Sequence, residues 1–118
     1  MTLVDTSVWV HHLRTSSARL AALLRDEQVL SHPFVVGALA CGNLQNRDEI
    51  LTLLAALPEA RVAEHHEVLH LVEGARLYGR GLGWIDAHLL ASALISRSGL
   101  WTLDKPLQCA AATLRIPV

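Results

Sequence analysis

The sequence predicts an α/β protein in which helices surround a short, mostly parallel sheet. Two observations carry that expectation. Apolar, β-prone runs occur at Thr2-Leu3-Val4-Asp5 and again at Leu100-Trp101-Thr102-Leu103-Asp104. Between them lie stretches whose apolar residues recur at helical spacing, and strands separated by helices pair in parallel.

Each element has a local reason. Thr6 and Ser7 can cap a short helix through Trp9, Val10 and Leu13, because a side-chain oxygen there accepts an otherwise unpaired amide. Ser16-Ser17 opens a second helix with Leu20, Leu23 and Leu24 on one face. Val29-Leu30 reads as a brief strand. Pro33 suits the first turn of the next helix, which carries Phe34 to Leu44. Arg47-Asp48-Glu49 starts another, Ile50 to Leu57, which Pro58 stops. Arg61-Val62-Ala63 is expected to be a strand, and His65 to Tyr78 a helix buried through Val68, Leu71, Val72, Ala75 and Leu77. Gly79, Gly81 and Gly83 make a turn-prone passage. Trp84 to Ser96 is the following helix, with Gly99 as its C-cap. A short helix from Leu107 to Ala112 and a strand from Arg115 to Val118 complete the reading.

The 118 residues fit one domain spanning 1–118, and 52% hydrophobic content excludes a disordered chain. No apolar run approaches the roughly 20 residues of a membrane span, and no secretory leader is visible, so a cytoplasmic protein is expected. Cys41 and Cys109 read as reduced thiols in a cytosolic core. A net charge of −1 argues against a broad basic nucleic-acid surface. Contacts to phosphate must then be local, and Arg47, Arg80 and Lys105 are the candidates, with Arg76 behind them. Trp9, Trp84 and Trp101 sit beside apolar runs, where core packing is a better reading than base stacking.

The chemistry lies in the carboxylates. Asp5 and Asp104 each end an apolar strand-like run, and Asp86 follows Gly83-Trp84-Ile85 at a helix start. Ligands of open parallel sheets gather at the carboxyl ends of strands. Three acids brought together repel unless a cation compensates. Mg²⁺ or Mn²⁺, which take oxygen ligands, would serve and could activate water against a phosphodiester. Taken singly, each of these aspartates could equally be a helix cap or turn residue.

In order along the chain, these segments resemble a family. Leu3-Val4-Asp5-Thr6-Ser7-Val8-Trp9 is similar to the opening motif of PIN-domain nucleases of the VapC toxin type. Gly79 to Ala93, containing Gly83-Trp84-Ile85-Asp86-Ala87-His88, resembles the segment with that family's third acid, and Leu100 to Asp104 the segment with the fourth. The resemblance implies a PIN-like α/β/α sandwich and a metal-dependent endoribonuclease acting on cellular RNA. It also implies a homodimer and neutralisation by a VapB-type antitoxin. Asp5, Asp86 and Asp104 would be the metal-holding catalytic acids, with Ser7 and Thr102 as hydroxyls that orient them.

The chain departs from the pattern once. His32 to Leu44 resembles the helix carrying the second acid, but Ala38 stands where the family has Glu. The intact flanks read as a deliberate substitution that silences the enzyme. Losing one charge and one ligand should impair cleavage while leaving the helix sound, since Ala is the best helix former. Two other readings stand beside the nuclease. A non-catalytic domain could sequester RNA or antitoxin. His66-Glu67-Val68-Leu69-His70 also matches the HExxH pattern of zinc hydrolases, although it lacks the longer pattern's Gly and third His.

Overall fold

The computed structural model describes residues 1–118. Strand β1 (Thr2–Val4) leads into α1 (Thr6–Thr15) and α2 (Ala18–Arg25). Then come β2 (Val29–Leu30), α3 (Pro33–Ala40), α4 (Arg47–Ala56), α5 (His65–Gly74), α6 (Trp84–Ser96), β3 (Gly99–Trp101) and α7 (Lys105–Thr113). The strands form one sheet in the order β2-β1-β3, with both pairings parallel. Leu3 lies opposite Leu30 on one side and Leu100 on the other. The expected α/β architecture with a parallel central sheet is therefore the one observed.

Burial explains why these segments hold. Leu3 and Val4 are both completely buried, as in a parallel strand covered on both faces, so no polar residue alternates with them. Helix α6 is buried at every position from Ala87 to Ala93, which makes it the central helix of the fold. It packs on β3, α5 and α7. The main core joins Leu3, Val4, Leu89, Leu90, Leu100 and Leu107, and a smaller cluster of Ala63, Val68, Ala87 and Ala91 sits between α5 and α6. No helix is long and apolar enough to cross a membrane.

Several expectations are corrected. Arg61-Val62-Ala63 forms no strand. The parallel edge beside β2 is a single bridge, Ser31 with Glu59, and the Arg61 amide is taken by Ser96 Oγ at 2.9 Å. Arg115 to Val118 also stays out of the sheet. Leu100 donates to the Pro117 carbonyl, but Pro117 has no amide to return and the Ile116 amide is spent on Ala111. The helix from Pro33 stops at Ala40, just before Gly42-Asn43. The helix from His65 stops at Gly74, where Arg76 turns left-handed and the Leu77 amide reaches back to Val72. Gly99 does not cap α6: Arg97 adopts the left-handed conformation and Gly99 begins β3. Cys41 and Cys109 are free thiols as expected, yet both are exposed rather than in the core. Trp9 and Trp101 are buried, whereas Trp84 is not.

Candidate active site

With β1 central and its neighbours on opposite sides, the chain leaves β1 toward β2 and later crosses back to β3. The connections after β1 and β3 therefore diverge, and a crevice opens at the carboxyl ends of those two strands. Asp5 follows β1 there, and its amide donates to the Trp101 carbonyl at 2.9 Å. Thr102 follows β3, and Asp104 lies two residues on.

Hydrogen bonds tie the two strand ends together. Asp5 Oδ2 accepts from Thr102 Oγ1 at 2.7 Å and from Ser7 Oγ at 2.8 Å, and Oδ1 accepts from the Thr6 amide at 2.7 Å. Each hydroxyl accepts in turn from backbone: Leu103 N–H on Ser7 and Asp104 N–H on Thr102, both at 3.0 Å. Ser7 and Thr102 thus do hold Asp5 in one rotamer, and they link it to the segment that presents Asp104.

All three aspartates stand at helix N-termini, where unpaired amides and the helix dipole favour negative charge. Asp5 is the N-cap of α1. Asp104 is the N-cap of α7, its Oδ2 accepting the Leu107 amide at 3.1 Å. Asp86 lies in the first turn of α6 and accepts from Gly83 N–H at 2.9 Å. Burial pushes the Asp86 carboxyl above its ordinary pKa. The Gly83 amide opposes this, and the charges of Asp104 and then Asp5 push it up again. None of the three carboxylates is salt-bridged to a cation.

That donor chemistry fits a hard divalent ion, since carboxylate oxygens without thiol or imidazole suit Mg²⁺ or Mn²⁺. No group of three or more His, Cys, Asp or Glu side chains is arranged to hold a metal ion. Mg²⁺ commonly keeps several waters and uses one or two carboxylates, so a fully enclosing trio is not required of such a site.

Ala38 lies exposed on α3 between two hollows. One, of about 630 Å³, runs past Thr6 and Leu39 and has an amide rim of Asn43, Gln45 and Asn46. The other, of about 440 Å³, is walled by Phe34, Cys41, Trp84 and Ile85. Position 38 thus lines one hollow together with Thr6, which follows Asp5, and the other together with Ile85, which precedes Asp86. Sequence reasoning missed what holds α3 to α6. His32 is fully buried at the α3 N-cap; its Nδ1 accepts the Phe34 amide at 3.0 Å, leaving Nε2–H to donate to Ser92 Oγ at 3.0 Å. Burial, and then the nearby His88, lower its pKa to about 4. A histidine directly before Pro33 was the available signal, but its partner lies 60 residues away.

The remaining candidates fall elsewhere. Arg47 donates to the Ala40 and Gly42 carbonyls at 2.6 and 3.3 Å, closing the end of α3. Arg80 and Lys105 are exposed on adjoining segments, because Gly81 lies against Pro106; Arg76 is also exposed. His66, Glu67 and His70 lie on the open face of α5, with Glu67 Oε1 accepting the Glu64 amide in a capping box. Helix α5 packs through Val68, which is the structural use of the HExxH run.

The PIN domain family model matches residues 2–112. A parallel sheet with acids at its carboxyl edge, joined to that match, defines the class: the chain belongs to the PIN domain family. Among individual proteins it is similar to Ribonuclease VapC32 of Mycobacterium tuberculosis, in strains CDC 1551 / Oshkosh and ATCC 25618 / H37Rv. The identity is 52% over 113 residues in each case, covering 95% of this chain and 91% of the relative.

Proposed function

We propose that residues 1–118 act as one nuclease domain, a metal-dependent endoribonuclease toxin of a toxin–antitoxin pair that hydrolyses phosphodiester bonds in cellular RNA. We propose further that Ala38 impairs it. The observation that carries this reading is the joining of Asp5, at the end of β1, to the segment that presents Asp104 through the Ser7 and Thr102 hydroxyls, in a chain 52% identical to ribonucleases. Asp5, Asp86 and Asp104 would hold Mg²⁺ or Mn²⁺. The bound ion supplies charge compensation, water activation and stabilisation of charge developing on the phosphate. Ser7 and Thr102 would keep Asp5 oriented, and Arg80 and Lys105 would contact phosphate, with Arg47 a lesser candidate because its guanidinium donates to the Ala40 and Gly42 carbonyls. On this reading the partners are RNA, a VapB-type antitoxin and a second copy of the chain, in the cytoplasm.

The test compares RNA cleavage by this chain and by Ala38→Glu in Mg²⁺ or Mn²⁺. The Glu form should cut, and adding Asp5→Ala should abolish cutting. A folded Ala38→Glu protein that gains no metal-dependent cleavage would count against the nuclease. Ala38 itself favours a second reading, a non-catalytic protein that sequesters RNA or antitoxin. That protein would bind RNA or antitoxin and leave RNA intact even with Glu restored.

A further inference from the structure

Helices α3 and α6 meet through side chains at three levels, and the partners run in opposite directions along the two helices. His32 reaches Ser92 at 3.0 Å, Phe34 lies edge-on to His88 with centroids 4.6 Å apart, and Ala38 shares a hollow with Trp84 and Ile85. The helices are therefore antiparallel, and position 38 falls at the level of the α6 first turn, which carries Asp86. Phe34 and Ala38 stand one helical turn apart, as do Trp84 and His88, so each pair marks one face of its helix. The second and third levels are aromatic or apolar contacts, which hold helices together without fixing how far one slides along the other. The His32–Ser92 hydrogen bond does fix it, because its strength depends on distance and angle. Neither residue exposes any surface. The His32 Nδ1 is committed to the Phe34 amide, so only Nε2–H can face Ser92.

We infer that His32 and Ser92 are positioning residues, which set the register of an acid at position 38 against the α6 turn that carries Asp86; this rests on the nuclease reading above. Helix α3 runs unbroken from Pro33 to Ala40, so a shift at its His32 end is carried to position 38 as a rigid displacement. A side chain that serves a metal or its water must be held within about 0.5 Å of its working place. A sound helix does not secure this alone, since it can bring position 38 to the wrong level of α6. Removing the Ser92 hydroxyl leaves the buried Nε2–H without an acceptor, and α3 must move for it to reach another. In this chain the anchor is intact while Ala38 gives it nothing to aim. That separation makes the role measurable.

The test places Ser92→Ala in the present chain and in Ala38→Glu, with folding checked by circular dichroism and urea unfolding. Mn²⁺ affinity is read from the electron paramagnetic resonance of the free ion. In the Glu form, Ser92→Ala should weaken Mn²⁺ binding about tenfold. In the Ala38 chain there is no acid to misplace, and the affinity should stay within about twofold. A purely structural role, loosening α6 and with it Asp86, would weaken both forms alike, and that result overturns the proposal. An affinity unchanged by Ser92→Ala in the Glu form overturns it too. Should Ser92→Ala fail to fold, His32→Asn carries the same comparison, since Asn keeps the α3 cap but is too short to reach Ser92. RNA cleavage separates the register role from the reading beneath it. A Glu form that cuts RNA but shows no selective loss on Ser92→Ala sinks the register role alone. A folded Glu form that neither cuts RNA nor binds Mn²⁺ more tightly than the parent sinks the nuclease reading with it.

Discussion

Asp5 has both carboxylate oxygens committed, to Thr6 N–H on one side and to the Ser7 and Thr102 hydroxyls on the other. Because both hydroxyl protons point at Oδ2, the 3.3 Å approach of Ser7 and Thr102 is a contact, with no proton left to form a bond between them. Position 5 could be read from the sequence as an acid ending an apolar run, while the hydroxyls emerged from the family resemblance. His32 was legible only as a residue before a proline. Its buried, neutral ring has a pH consequence. With a folded pKa of about 4 against 6.5 unfolded, the unfolded chain takes up the proton first as pH falls. Stability is therefore intact above about pH 6.5 and is lost progressively toward pH 4, by on the order of 3 kcal/mol in full. Urea unfolding of His32→Gln should show a flatter profile across that window. An unchanged slope would remove His32 as the cause.

At the scale of elements, all three acids sit at helix starts, Asp5 and Asp104 as N-caps and Asp86 in a first turn. That position explains why a capping role and a metal-binding role could not be separated from sequence. Asp104→Asn separates them. Asn caps as well as Asp, so the Leu107 amide keeps its partner and stability should move by less than about 1 kcal/mol. Mn²⁺ binding, followed by calorimetry, should fall sharply because a charge is gone. Equal Mn²⁺ affinity in the Asn form would reduce Asp104 to a cap. Trp84 illustrates the reverse difficulty. It opens an apolar helix and so resembles a core residue, but α6 is enclosed only from Ala87 onward, and its first turn protrudes beside the hollow.

For the whole molecule, the decisive feature is sheet order. Placing β1 between β2 and β3 brings Asp5 and Thr102, 97 residues apart, within 2.7 Å. The far edge of β3 is closed by the C-terminal segment, and Gly99 permits that closure. A Cβ at position 99 would stand 2.9 Å from the Pro117 carbonyl oxygen, a backbone atom that cannot rotate away. Gly99→Ala should therefore cost about 1–3 kcal/mol, as overpacking does, and lower the thermal midpoint by several degrees. If Pro117 and Val118 are deleted, the penalty of Gly99→Ala should largely vanish. Persistence of the full penalty would place the strain elsewhere.

The sequence by itself determined the positions of strands β1, β2 and β3, the helical segments and the acids at Asp5, Asp86 and Asp104. Those depend on local apolar runs, caps and breakers. Tertiary structure alone decided that Arg61 to Ala63 and Arg115 to Val118 leave the sheet, since their amides are claimed by Ser96 and Ala111. It alone decided that Cys41 and Trp84 face water and that His32 joins α3 to α6. Such outcomes rest on partners tens of residues distant, and local spacing carries no information about them.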